Sequence, residues 1–159
     1  MYDSWNGWVS ASAELPFDGG RCASTKGTHV KHRILVVDDD PQFCELFKAW
    51  LESEGHEAIV ANNLEEGFVA VANLPLPDAV LLDIRLGNQN GLTLVHWVRR
   101  QNHLAHMPIA AVTGLGSFKE LKSIGEAGCD TCFTKPIDFR ALREYLARLG
   151  VFSVSKMIT

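Results

Sequence analysis

The sequence predicts an α/β fold: a five-stranded, doubly wound parallel sheet with five helices covering its two faces. Three observations carry that prediction. Short apolar runs recur five times between residues 33 and 134. Each is followed by a stretch whose apolar residues return every three or four positions. Glycine, proline or a capping side chain marks the joints. Strand-helix alternation of this kind implies parallel strands joined by right-handed crossovers. Strands so apolar need cover on both faces.

The elements follow in order. Ile34-Leu35-Val36-Val37 is the first strand, and Asp38-Asp39-Asp40-Pro41 ends it. Asp40 suits a helix N-cap and Pro41 the first helical position. Phe43, Leu46, Phe47, Trp50 and Leu51 then trace one helical stripe, which Gly55 stops. Ala58 to Ala61 is the second strand. Asn63 and Glu66 make a capping box for a helix whose stripe is Leu64, Phe68, Val71 and Ala72. Pro75 and Pro77 forbid its continuation. Ala79-Val80-Leu81-Leu82 is the third strand, ending at Asp83. A polar loop, Gly87 to Gly91, leads to a helix with Leu92, Val95 and Val98 inward. Ile109 to Val112 is the fourth strand, ending at Thr113. Phe118, Leu121 and Ile124 mark the next helix, closed by Gly128. Thr131 to Thr134 is the fifth strand, ending at Lys135-Pro136. Asp138 caps a last helix with Leu142, Tyr145, Leu146 and Leu149 inward.

Composition narrows the class. The 159 residues are 47% hydrophobic and 21% charged, a globular balance. No apolar run approaches the roughly 18–20 residues that span a bilayer. Residues 33–149 carry eleven Lys and Arg against sixteen Asp and Glu, which argues against direct nucleic-acid binding. Residues 1–32 are rich in Gly, Ser, Ala and Thr and show no sustained period, so a flexible N-terminal extension is expected, with Trp5 and Trp8 its oddity. Residues 150–159 are expected to be a C-terminal tail, with no room for an output domain. No charged-then-apolar signal pattern opens the chain, so a cytoplasmic protein with reduced cysteines is expected. Cys129 and Cys132 form one CxxC, the pattern of half a zinc site, with His103 and His106 as its other half, or of a redox pair. A structural role is expected for that pair. Arg99, Arg100, Lys119 and Lys122 read as solvated helix faces.

In an open parallel sheet, ligands bind at the carboxyl ends of the strands. Those ends hold Asp38-Asp39, Asp83, Thr113 and Lys135. Three clustered carboxylates repel one another unless a cation neutralises them. Mg²⁺, a hard cation taking oxygen ligands, does so. One carboxylate then stays ionised as a nucleophile toward phosphorus. Lys135 and the Thr113 hydroxyl supply further compensation for phosphoryl oxygens. Gly114 leaves room for a donor.

With those residues in hand, the chain resembles the receiver domain of two-component response regulators, in its single-domain, chemotaxis-regulator-like form. The resemblance covers about residues 33–149. It rests on Ile34-Leu35-Val36-Val37-Asp38-Asp39-Asp40, Val80-Leu81-Leu82-Asp83 with Gly91 downstream, Ala111-Val112-Thr113-Gly114, and Thr134-Lys135-Pro136. It implies a flavodoxin-like strand order 2-1-3-4-5. It implies Asp83 as phosphoacceptor, and Asp38, Asp39, Asp83 and the Arg85 backbone carbonyl around Mg²⁺. Thr113 is implied as the switch hydroxyl and Lys135 as the phosphate-contacting lysine. The implied donor is a histidine kinase or histidine phosphotransfer protein. The signal is expected to leave through a protein bound on the Gly116–Leu149 face, with no enzyme activity beyond possible self-dephosphorylation.

Three departures from the family pattern stand out. Cys132 occupies the place of an aromatic switch residue, and Phe133 beside it is expected to face the other way. Leu86-Gly87 replaces a common Met-Pro pair, so that loop is expected to be looser. Arg85 places a cation two residues after Asp83, a position that, with Leu115, influences phosphoryl lifetime in the family. Its partner, phosphoryl group or neighbouring acid, stays open. Two other readings meet part of this pattern. A haloacid-dehalogenase-like phosphatase needs a further acidic pair after the lysine, and only Asp138 and Glu144 follow Lys135. A receiver-fold interaction module with weak switching is compatible with the absent aromatic.

Overall fold

A computed structural model of the chain describes residues 30–114 and 116–155, with the backbone alone for 150–155. The predicted extension therefore lies, with Trp5, Trp8 and Cys22, almost wholly outside the described residues, as does Leu115. The elements run β1 (Arg33–Val37), α1 (Pro41–Ser53), β2 (Glu57–Ala61), α2 (Leu64–Ala72), β3 (Ala79–Asp83), β4 (Arg85–Leu86), β5 (Gln89–Asn90), α3 (Leu92–Arg100), β6 (Ile109–Thr113), α4 (Phe118–Ala127), β7 (Thr131–Thr134) and α5 (Phe139–Ser155). The main sheet is five parallel strands in the order β2-β1-β3-β6-β7. Counting its strands alone, that is the expected 2-1-3-4-5. α5 continues past Leu149 into the segment expected to be a tail.

Period-two alternation sorts the strand side chains between two cores. Leu35, Val37, Val80, Leu82, Ile109 and Ala111 pack with α2, α3 and α4. Ile34, Val36, Ala79, Leu81 and Ala110 pack with α1 and α5. Each fully buried Val, Leu or Ile stabilises the fold by about 1.5–3 kcal/mol, so both faces are needed.

The predicted caps are present. Asp40 accepts from the Gln42 and Phe43 amides. Asn63 accepts from the Glu66 amide at 2.8 Å. Glu66 returns the contact to the Asn62 amide at 2.7 Å, and that bond holds its carboxyl below the usual range. Asp138 accepts from Arg140 and Ala141. Gly128 ends α4 with φ 102°, a conformation glycine adopts freely.

Some expected core positions face water. Leu46 is exposed on α1, and Ala72 on α2. On α4 only Ile124 and Ala127 are buried; Phe118 is 80% and Leu121 41% exposed. The short stripe in that helix overstates its inward face. The loop after β3 is a two-residue hairpin rather than a looser segment. β4 and β5 pair antiparallel through Gly87-Asn88, Gly87 has φ 58°, and buried Leu86 anchors the ribbon. Arg99 is no solvated cation. Its guanidinium donates to the Gly128, Ala105 and Met107 carbonyls and to Asp130. Trp97 packs edge-on against Phe68.

Candidate functional site

The site lies where the carboxyl ends of β1, β3 and β6 meet the start of the β7–α5 loop. The Asp38 amide donates to Ala61, extending the β1–β2 ladder by one residue. This turns the Asp38 side chain inward. Its Oδ1 accepts from the Asp40 amide at 2.9 Å and its Oδ2 from Lys135 Nζ at 2.6 Å. Burial pushes the Asp38 carboxyl above its ordinary range, and the nearby Asp83 charge adds to the push; Lys135 and the Asp40 amide oppose it without cancelling it.

Asp83 closes β3. Its Oδ1 accepts from the Arg85 amide at 2.9 Å and its Oδ2 from Lys135 Nζ at 2.9 Å. Asp38, Asp39 and Asp83 each place a carboxylate oxygen within 4.8 Å of the others. Asp39 is exposed; the other two are buried. Among the described residues this is the one group of His, Cys, Asp or Glu arranged to hold a metal ion. Neither the CxxC pair nor His103 and His106 form another.

Lys135 sits in the β7–α5 loop, tied by its amide to the Thr113 carbonyl at 2.8 Å; the Lys135–Pro136 peptide is cis. Burial alone would lower the ammonium's pKa. Hydrogen bonds to Asp38 and Asp83 outweigh it and the net shift is upward. Thr113 ends β6, 1% exposed, and its Oγ1 has no hydrogen-bond partner. An orphaned buried hydroxyl costs about 1–3 kcal/mol. Gly114 beside it faces open space.

The chain then returns beneath Asp83. The Gly91 amide donates to Ile84 at 2.8 Å, and a Cβ there would stand 2.3 Å from the Asp83 carbonyl oxygen. Only glycine fits. Asn90 Oδ1 accepts from the Leu92 amide at the start of α3, so the hairpin is also tied to that helix.

Of the sequence-predicted residues, Asp38, Asp39, Asp83 and Lys135 share one pocket, and Thr113 is tied to it through its carbonyl, which accepts from the Lys135 amide. The Arg85 side chain points away and meets Glu120 of α4. Cys132 pairs in register with Ala111 and packs on the α2–α4 side. Phe133 lies on the opposite side, edge-on to Tyr145 at 5.8 Å. Sequence reasoning missed Phe43: Lys135 Nζ stands 4.0 Å from its ring centroid. Its helical spacing gave it to the core, and nothing local marks a ring that also faces a cation.

The donor set fits a hard divalent cation: three carboxylates, one exposed, crowd together with a raised acid among them. A model of the response regulator receiver domain matches residues 34–147. The chain belongs to this family. Receiver domains are signalling domains of two-component systems that bind Mg²⁺ at an acidic pocket. The polar-differentiation response regulator DivK of Brucella anthropi is 31% identical over 104 residues, 65% of this chain and 84% of that protein. The DNA-binding dual master transcriptional regulator RpaA of Synechocystis is 32% identical over 117 residues, 74% of this chain but 47% of that protein. A CheY-like receiver structure from Methanospirillum hungatei superposes with a TM-score of 0.71 at 29% identity, covering 79% of this chain and 99% of the other. Among the described residues no helix is long and apolar enough to cross a membrane.

Proposed function

We propose that this receiver accepts a phosphoryl group on Asp83 and signals through a partner protein. The observation that carries it is the arrangement around Asp83: one lysine bonded to both Asp38 and Asp83, beside an unpartnered buried hydroxyl. Asp38, Asp39, Asp83 and the Arg85 carbonyl are the residues to hold Mg²⁺. When bound, Mg²⁺ offsets the carboxylate charge and that of the phosphoryl oxygens.

An Asp83 carboxylate oxygen attacks phosphorus. The donor's phosphorus–nitrogen bond breaks as the oxygen–phosphorus bond forms, and the electron pair leaves with the donor's imidazole. Lys135 is already aimed at Asp83 and stabilises the incoming charge. The orphaned Thr113 Oγ1 gains a partner only when a phosphoryl oxygen arrives, which makes it a built-in switch.

The donor class is a histidine kinase or histidine phosphotransfer protein. A stand-alone role is supported by DivK, most of whose length is matched. Exposed Phe118 and Leu121 make the Gly116–Leu149 face the surface for a protein target. Acidic net charge favours a protein over nucleic acid there. Labelling from a small phosphodonor with Mg²⁺ tests the assignment: label is expected on the wild type and absent from Asp83→Asn. Equal labelling of that variant refutes it. Cys132 favours a second reading, an interaction module with muted switching. Unchanged spectra on adding beryllofluoride would select it.

A further inference from the structure

Lys135 has three ammonium hydrogens. Two directions are taken by Asp38 Oδ2 and Asp83 Oδ2. On a remaining side lies the Phe43 ring, 4.0 Å from the nitrogen to its centroid. That is well within the range at which a ring quadrupole attracts a cation. The ring is not free to drift. It stacks on Phe47 at 4.4 Å and 28°, and Phe47 is buried. Phe47 in turn packs on Phe139 at 5.5 Å, and Trp50 packs on Phe139 at 4.9 Å. Phe139 opens α5, four residues after Lys135. Aromatic residues of α1 therefore grip the β7–α5 connection at both ends, through the lysine and through Phe139.

We infer that Phe43 is a positioning residue, its ring face holding the Lys135 ammonium between Asp38 and Asp83. The inference rests on the phosphoacceptor reading of Asp83. A leucine at 43 would fill much of the volume but present no negative ring face. The lysine would then divide its time between the pocket and water.

The test uses the full chain with fluorinated phenylalanines at 43. Successive fluorines drain the ring face while nearly preserving its shape. Beryllofluoride, a phosphoryl mimic, is titrated at saturating Mg²⁺, and Mg²⁺ alone is titrated in parallel. Stepwise loss of beryllofluoride affinity is expected, reaching about three- to tenfold for the trifluoro ring. Mg²⁺ affinity should move less than beryllofluoride affinity, because the lysine bonds two of the carboxylates but would not touch the ion itself. Phe43→Leu should match the trifluoro ring and Phe43→Trp should restore binding. A flat beryllofluoride series on a chain that binds it normally overturns the role of Phe43 alone. Failure of the wild type to bind beryllofluoride overturns the phosphoacceptor reading, and this inference with it.

Discussion

The Arg85 guanidinium meets the Glu120 carboxylate at 3.4 Å, joining the hairpin after Asp83 to the start of α4. Arg85 is 75% exposed at its side chain, so the pair adds little to stability, under about 1 kcal/mol. Its effect is on where the cation points. In Glu120→Gln the guanidinium is released to shield a phosphoryl group from water. The half-life of phosphorylated Asp83 should lengthen about two- to fivefold. Arg85→Ala in that background should reverse the gain. Timed loss of label measures both.

Asp38 governs the pH response. Its folded-state pKa is raised, chiefly by burial. The stability it contributes is fully present below its unfolded pKa and is lost as pH rises through the folded value. Wherever Asp38 is ionised, its buried charge is a net cost. Asp38→Asn should therefore raise the melting temperature by about 2–4 °C at pH 7, with the difference closing as the solution is acidified below pH 4. Mg²⁺ should stabilise the wild type, by about 2.7 kcal/mol at a hundred times its dissociation constant, and leave the variant unmoved. Thermal melts across pH, with and without Mg²⁺, check all three.

Gly91 and Gly114 should behave oppositely. An added Cβ at Gly91 collides with the Asp83 carbonyl oxygen, whereas at Gly114 it meets nothing within 4 Å. Gly91→Ala should cost about 1–3 kcal/mol in urea unfolding. Gly114→Ala should stay within about 0.5 kcal/mol of wild type, yet slow labelling by narrowing the approach to Thr113.

The three cysteines among the described residues should be inert. Burial pushes Cys44 and Cys132 up to about 11 and Cys129 up to about 12. Alkylation of all three at pH 7.5 should run about a hundredfold or more slower than that of a free thiol. Peptide mapping by mass spectrometry reads each one.

Much of this was legible because strand ends are set by local chemistry. Asp38, Asp83 and Thr113 sit at the ends of buried apolar strands and Lys135 follows a half-buried one, and topology alone brings the ends together. Asp40 and Asn63 were legible as caps for the same local reason. What escaped depends on contacts distant in sequence. Arg99 reaches Asp130 across 31 positions, and Arg85 reaches Glu120 across 35. The hairpin of Gln89 and Asn90 is polar and two residues deep, too short to show a period. Phe118 carries an inward-facing spacing yet stands in water, because under about three turns of weak pattern cannot fix a helix's rotation.

Of the three acids, Asp39 alone is open to solvent. Any ion reaching the pocket meets it first and departs past it last. A single doorstep serves both arrival and exit. Changes at position 39 should therefore alter how quickly the pocket fills and empties, whereas changes at Asp38 alter whether it fills at all.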